Sequence, residues 1–413
     1  MEEQLKRVWK RWSRSSLVVR IVIGLVAGAL LALLVPQWTV VGLLGKVFVG
    51  ALKAIAPVLV AVLVASSIAQ AGDGLGSRFR MVIVLYMATT LMAAFAAVAG
   101  SFLFPVPLQL TNDVAVGDGV GSMGAVFENL LLNMVANPVG AVMEANYIGV
   151  LFWAVVFGVG LKLVASAQTV TMVQDLARVA SQAVRWVIQM APLGIMGLVF
   201  TSVSESGLEI FAVYGRLLAL LVGCMLVHVL LFCPLVAFLL LHRNPYPLLF
   251  ECLRVSGLQA FFTRSSAANI PVNMSLCKRL GIDEDFYSVS IPLGATVNMN
   301  GAAITITVMT LAVAHTVGVD VSVGSALLLS VVAALGACGT SGVAGGSLLL
   351  IPLACSLFGI GHGVAMQAVA VGFIIGVVQD SVETALNSSS DVFFTAIAEQ
   401  YELEKHVLPR RNA

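Results

Sequence analysis

The residues of this chain best suited to chemistry gather in one stretch near its end. Asp380, Glu383, Thr384, Asn387 and Asp391 recur at offsets of 3, 4, 7 and 11 within an otherwise apolar segment. At about 100° per residue, a helix places all five on one face, within an arc of roughly 100°. An acid held at mid-bilayer costs about 2.5–3.5 kcal/mol on insertion scales. Three acids on one stripe, with Arg264 the nearby cation that the sequence offers, leave negative charge to be neutralised. The chemistry this suits is the capture of cations, from solution or as the ammonium of a ligand.

The elements that must position this stripe are themselves broken by polar residues. Leu248–Cys277 is apolar enough to enter a membrane, but its centre reads Thr263-Arg264-Ser265-Ser266-Ala267-Ala268-Asn269-Ile270-Pro271. Each flank is about 12–15 residues, well short of the ~20 that a crossing needs. Cations stand outside both flanks: Arg243 before, Lys278 and Arg279 after. A re-entrant helical hairpin follows, with a polar tip that is tolerated at depth only against protein or a watery cavity. Val323–Phe358 repeats the design around Cys338-Gly339-Thr340-Ser341-Gly342-Val343-Ala344-Gly345-Gly346-Ser347. Its glycines permit a turn and leave backbone amides and carbonyls accessible. One full span, Val289–Val317, separates the hairpins, so the second enters from the opposite side. Each precedes a helix with a polar interruption, Gly294–Ala302 and then Gln379–Asp391. Such inverted repeats place substrate and ion sites near the midplane of secondary transporters.

Composition sets the class. Of 413 residues, 59% are hydrophobic and 10% charged, against about 25% charged in soluble domains. The formal net charge of +1 gives no footprint for nucleic acid. The pattern predicts an all-α integral membrane protein of eight transmembrane helices plus two opposed re-entrant hairpins. Residues 1–70 hold a cytoplasmic amino terminus and spans one and two, and 81–104 form span three. Spans four and five occupy 123–203, span six 213–241, the first hairpin 246–279 and span seven 286–317. The second hairpin is 323–358, span eight 363–397, and 398–413 a cytoplasmic tail. Lys and Arg concentrate at the amino terminus, at Arg78 and Arg80, at Lys162 and at Arg243, while the intervening loops carry Asp113, Asp118, Glu128, Glu205 and Glu209. That alternation obeys the positive-inside rule and puts both termini in the cytoplasm.

Together, Thr263-Arg264-Ser265-Ser266 with Pro271, Asn298-Met299-x-Gly301, the glycine-rich tip and Asp380…Asn387…Asp391 resemble the dicarboxylate/amino acid:cation symporter family, which has the glutamate-transporter fold. The resemblance spans nearly the whole chain and is strongest to the bacterial serine/threonine:sodium branch, in FFTRSSAANIPVNM and ETALNSS. It implies sodium-coupled import of serine and threonine across a bacterial inner membrane, by a homotrimer contacting membrane lipid. It implies that Asp380 binds the substrate ammonium and that Ser266, Asn387 and amides near Gly342 and Val343 hold the carboxylate. Thr384 would line the pocket. One sodium site would use Gly294, Asn298, Asn387 and Asp391. A second would use Thr296 and Met299 with carbonyls of Ala337, Cys338 and Thr340. Tyr86, Thr89, Thr90 and Asn300 match a third. Oxygen ligands suit sodium, a hard cation.

Two departures shape the expectation. Family members that carry acidic substrates have Arg where Glu383 stands, so a small neutral side chain is expected here, its hydroxyl meeting Glu383 and Thr384. The family motif has Asp and Thr at Asn300 and Ala302, which predicts a weaker third sodium site. Arg264 has two readings, partner of a carboxylate or substrate contact, and Asn300 two, ligand or interhelical glue. His228 is expected to be a hydrogen-bonded interhelical residue. Other readings are a sodium- or proton-coupled symporter of another neutral or acidic amino acid or dicarboxylate, and, remotely, an intramembrane serine protease using Ser341 and His362. The protease would need Ser–His contact, and half a bilayer separates the two, so no enzyme is expected.

Overall fold

The computed structural model describes residues 17–70, 77–110, 131–132, 134–144, 146–338, 340 and 345–407. Among them every regular element is a helix. The chain runs through α1 (Leu17–Leu34), α2 (Val40–Gln70), α3 (Ser77–Leu103), α4 (Pro138–Met143), α5 (Tyr147–Val164), α6 (Ala167–Gln189) and α7 (Ala191–Ser206). Next come α8 (Ile210–Val227), a π-helical turn His228–Phe232 and α9 (Cys233–Leu241). α10 (Tyr246–Cys252), a second π turn Leu253–Gly257, α11 (Leu258–Thr263) and α12 (Ser266–Arg279) make the first hairpin segment. α13 (Glu284–Val297) and α14 (Asn300–Thr316) follow, then α15 (Val323–Ala337), a 3-10 turn Ser347–Leu350, α16 (Ile351–Ser356) and α17 (His362–Val407).

Among the described residues, five helical stretches are long and apolar enough to cross a membrane: Val40–Gln70, Ser77–Leu103, Gly207–Leu241, Glu284–Thr316 and His362–Glu404. The pair α6–α7, bent by 53° at Met190, adds a sixth if counted as one span. Shorter apolar helices, Val323–Ala337 and Ser347–Ser356, flank the glycine-rich tip. Side chains such as Leu34, Val40, Leu103 and Val164 lie exposed along these helices, which in a helical bundle of this apolarity marks a lipid-facing surface. The chain is a multi-pass membrane protein.

Two packing groups form. In the first, α1, α2, α5, α6 and α7 pack on one another. Gly24 and Gly28 sit one turn apart on α1, a small-xxx-small pair that lets backbones approach. A Cβ at either would lie 2.1 or 2.3 Å from the carbonyl oxygen of Pro192 or Met196 on α7. The second group surrounds α14 and α17, which pack on each other and on α3. Every residue of α14 from Asn300 to Ala314 is buried, so this helix is an interior axis and not a face.

α17 continues to Val407, past the predicted end of span eight at residue 397. Polar contacts hold the extension: Glu399 accepts the backbone N–H of Asp283, and Ser77 donates to Glu402 at 2.8 Å. Arg78 joins Asp283 at 3.0 Å and stacks over the Phe286 ring. The Arg78 hydrogen bond holds the Asp283 carboxyl below the usual carboxylate range. His228 departs from expectation. Both its ring nitrogens are buried and find no hydrogen-bond partner among the described residues, because the π turn sets the ring beside Phe232.

The backbone contact at Gly24 yields a test. Gly24→Ala should lower the thermal unfolding midpoint of the detergent-solubilised protein, although alanine ordinarily gains about 1 kcal/mol over glycine inside a helix. Gly160→Ala, where a Cβ meets nothing within 4 Å, should leave the midpoint unchanged or raise it.

Candidate functional site

The polar stripe of α17 faces inward along its whole length. Asp380, Glu383, Thr384, Asn387 and Asp391 are all buried, the most accessible of them 6% exposed. Despite its density of polar residues, the segment Gln379–Asp391 stays helical. The breaks occur instead in the chains facing it.

The first break is the turn between α11 and α12. Arg264 adopts a left-handed backbone conformation with φ of 49°, which costs a non-glycine residue roughly 1–2 kcal/mol. Ser265 then caps α12 by accepting the N–H of Ala268 at 3.2 Å, and Ser266 begins that helix, buried. The turn aims Arg264 at Asp380, guanidinium to carboxylate 3.7 Å apart and both buried. That separation is an ion pair without a formed hydrogen bond. The other Asp380 oxygen accepts the N–H of Gly345 at 3.1 Å. Beside this pair lies a cavity of about 20 Å³ lined by Arg264, Gly345, Phe373 and Asp380. An amino acid there requires its neighbours to move.

The second break separates α13 from α14 at Asn298-Met299. Asn298 donates to Asp391 Oδ1 at 2.9 Å and to Ser390 Oγ at 2.7 Å. Asn300 donates to Asn298 Oδ1 at 3.1 Å and accepts from Thr90 at 2.9 Å. Tyr86 donates to the Asp391 carbonyl at 3.1 Å. Asn387 accepts the N–H of Gly301 at 2.7 Å and donates to Met299 Sδ at 3.5 Å. Gly294 and Gly301 make these approaches feasible: a Cβ at Gly294 would stand 2.7 Å from Asp391 Oδ1, and one at Gly301 2.9 Å from Glu383 Cγ. Asp391 Oδ2, also buried, finds no donor among the described residues. A buried carboxylate oxygen left unsatisfied is costly, and a bound cation or a proton would remove the cost.

Several residues singled out from the sequence therefore converge: Arg264 on Asp380, Met299 on Asn387, Asn298, Asn300 and Tyr86 on Asp391 and its helix, and Thr90 on Asn300. Cys338 reaches the Val297 carbonyl at 3.5 Å, bringing the end of α15 to the break. Other hydroxyls turn onto their own segments: Thr384 donates to the Asp380 carbonyl, Thr296 to that of Leu293, Thr89 to that of Leu85 and Thr340 to that of Ala337. Gly342, Val343 and Ser341 lie outside the described residues.

Four participants escape a reading by sequence alone. Ser390 links Asn298 and Asn300 and donates to the Asn387 carbonyl. Thr305 and Ser347 donate to Glu383 Oε2 at 2.7 and 2.8 Å, and Gln379 donates to the same oxygen. The expected meeting of Glu383 with a substrate hydroxyl thus finds this oxygen already occupied. Thr305 was findable, since it follows Gly301 by one helical turn; Gln379 precedes Glu383 by one. Away from α17's acids, a polar cluster ties the first hairpin to the same helix: Asn269 donates to Ser256 and Ser388, and Asn273 to Ser388.

A crevice of about 620 Å³ opens between the two packing groups, lined by Gln70, Gln174, Arg178 and Arg185 on one side and Thr263, Arg264, Ser265 and Thr296 on the other. It brings open space to the tip of the first hairpin.

Comparison with known proteins matches the profile of the Sodium:dicarboxylate symporter family to residues 17–401. A serine/threonine transporter of Bifidobacterium adolescentis is 57% identical over 390 residues, covering 94% of this chain and 91% of the relative. One of Streptococcus thermophilus is 53% identical over 405 residues, covering 97% and 100%. A third, of Streptococcus agalactiae, is 54% identical over 400 residues, covering 96% and 98%.

The unsatisfied oxygen of Asp391 ranks the two polar centres near it. Asp391→Asn should raise the sodium concentration giving half-maximal thermal stabilisation at least ~10-fold, and Asn300→Ala by about threefold or less. Equal shifts would undo that ranking.

Proposed function

The chain belongs to the sodium:dicarboxylate symporter family, and from that premise we propose that it imports serine and threonine across the bacterial inner membrane, driven by sodium moving down its gradient. It is a transporter and not an enzyme: the family is one of symporters, and the full-length relatives carry transporter names. Those relatives, at 53–57% identity, support serine and threonine as substrates.

The observation that carries sodium coupling is the buried Asp391 carboxylate, with Asn298 on one oxygen and no donor among the described residues on the other. Gly294, Asn298 and Asn387 complete that sodium site. Thr296 and Met299, with the carbonyls of Ala337, Cys338 and Thr340, form a second sodium site where α15 meets the α13–α14 break. Tyr86, Thr89, Thr90 and Asn300 form a weaker third, in which an amide replaces a carboxylate and contributes no charge.

Asp380 receives the substrate ammonium. Its pairing with Arg264 at 3.7 Å is held by charge alone, so an ammonium donating directly gains a charge-assisted hydrogen bond that the guanidinium does not make. Ser266, Asn387 and the tip amides near Gly342 and Val343 take the carboxylate, while Thr384 lines the pocket. Glu383 places a carboxylate one helical turn from Asp380, where an anionic substrate side chain finds no cationic partner. Charge balance then favours a zwitterion arriving with cations. The architecture is eight spans and two opposed re-entrant hairpins, with both termini cytoplasmic. The group built around α14 and α17, with α3 and the hairpin segments, moves against α1, α2, α5, α6 and α7, so that the site opens alternately to each side, in a homotrimer.

Purified protein in liposomes should accumulate labelled serine only with an inward sodium gradient, and excess aspartate should not compete. Asp380→Asn should reduce that uptake at least ~10-fold through loss of a charged contact. Glu383→Arg should weaken serine uptake and admit acidic substrates; unchanged selectivity would remove Glu383 from the account of specificity.

A further inference from the structure

We infer that Glu383 is the pivot of the second hairpin's returning arm, and that Thr305 and Ser347 are positioning residues which set substrate affinity by holding that arm against Asp380. The inference rests on the transport reading above and specifies one of its working parts.

The arm comes back from the tip through Gly345, at φ of 71°, where a Cβ would press 2.9 Å from the Phe373 ring. Its first two polar contacts both fall on acids of α17. Gly345 donates its N–H to Asp380 at 3.1 Å, and Ser347 donates its hydroxyl to Glu383 at 2.8 Å. These acids lie one helical turn apart, so the arm is laid along the polar stripe of α17. The second contact is the stronger built. Glu383 Oε2 also accepts Thr305 of α14 at 2.7 Å, and Gln379 donates both to that oxygen and to the Thr305 hydroxyl. Three separate elements thus meet at one oxygen. Gly301, one turn before Thr305, lets α14 approach so closely that a Cβ there would stand 3.0 Å from the Glu383 backbone. Glu383 is consequently held from both sides, with Thr305, Ser347 and Gln379 buried almost completely.

The two contacts must behave differently when substrate binds. An ammonium at Asp380 competes with the Gly345 N–H for the same carboxylate, and the cavity of about 20 Å³ beside it must enlarge. The Ser347–Glu383 contact lies off that carboxylate and persists. A buried carboxylate does not give up its donors without large cost, so the arm swings about Ser347 while Gly345 yields. Loosening the pivot then weakens substrate binding. It leaves the Asp391 centre alone, because none of its partners Asn298, Ser390 and Tyr86 touches Glu383 Oε2.

The test is serine uptake kinetics in proteoliposomes, with rescue. Ser347→Ala should raise the KM for serine roughly 5–10-fold, about the net loss expected for a single hydrogen bond. Vmax per folded protein and the sodium concentration for half-maximal uptake should stay within about twofold. Ser347→Thr, which keeps the hydroxyl, should restore the KM. Thr305→Val should act in the same direction and Thr305→Ser should reverse it. A merely structural role would lower Vmax or yield and leave KM in place. An unchanged KM in Ser347→Ala, or no rescue by Ser347→Thr, overturns the inference. Should Ser347→Ala fail to fold, Thr305→Val reads the same oxygen, and an unchanged KM there overturns it equally. Absence of sodium-driven serine uptake in the unaltered protein overturns the transport reading instead, so the two failures are distinguishable.

Discussion

Buried negative charge on α17 is the constraint that organises this molecule. Three acids sit inside a helical bundle where water cannot screen them, and each is met differently. Asp380 faces a guanidinium and a backbone amide. Glu383 has two hydroxyls and an amide on one oxygen. Asp391 has Asn298 on one oxygen and nothing among the described residues on the other. The difference is informative, since an oxygen held by three donors is costly to release and one left without a donor invites a partner. The stripe therefore combines one acid held by three donors with two positions able to exchange partners.

Those partners are delivered by backbone that is not helical. Arg264 reaches Asp380 because a left-handed turn ends α11, and Asn298 reaches Asp391 because α13 stops one residue earlier. Irregular backbone of this kind is affordable in a membrane protein only where it is enclosed by protein or faces a polar cavity. Glycines at 294 and 301 complete the arrangement by allowing the facing helices to come within contact of α17 at the acids. The same residues that break the helices thus bring peptide groups and amides to the charge.

The two packing groups divide the labour. α1, α2, α5, α6 and α7 pack together, α1 on α7 through glycine contacts, and carry none of the acidic stripe, whereas α17, α14, α3 and both hairpin segments form the body that does. Between them the polar crevice reaches the first hairpin's tip. A site enclosed in one body and bordered by a crevice against the other is suited to exposure by relative movement of the two.

Much of this was legible in the residues. Membrane class, the broken segments and the inward face of Asp380, Glu383, Asn387 and Asp391 follow from apolar runs and helical spacing, because a helix's periodicity is written in one dimension and a buried acid declares itself by its cost. Even the pairing of Arg264 with a carboxylate was foreseeable, as the stripe had one cation within reach. The sequence could not say which oxygen each donor would occupy. That Ser347 and Thr305 converge on Glu383, that Ser390 joins Asn298 to Asn300, and that His228 in its π turn finds no hydrogen-bond partner among the described residues depend on residues tens of positions apart and on helix rotations of a few degrees. The extension of α17 to Val407 was equally hidden, since its Glu399 and Glu402 look solvent-bound until Asp283 and Ser77 are seen beside them. Local pattern determined which groups must be buried; only the tertiary packing decided what each would meet, because hydrogen bonds are satisfied across space and not along the chain.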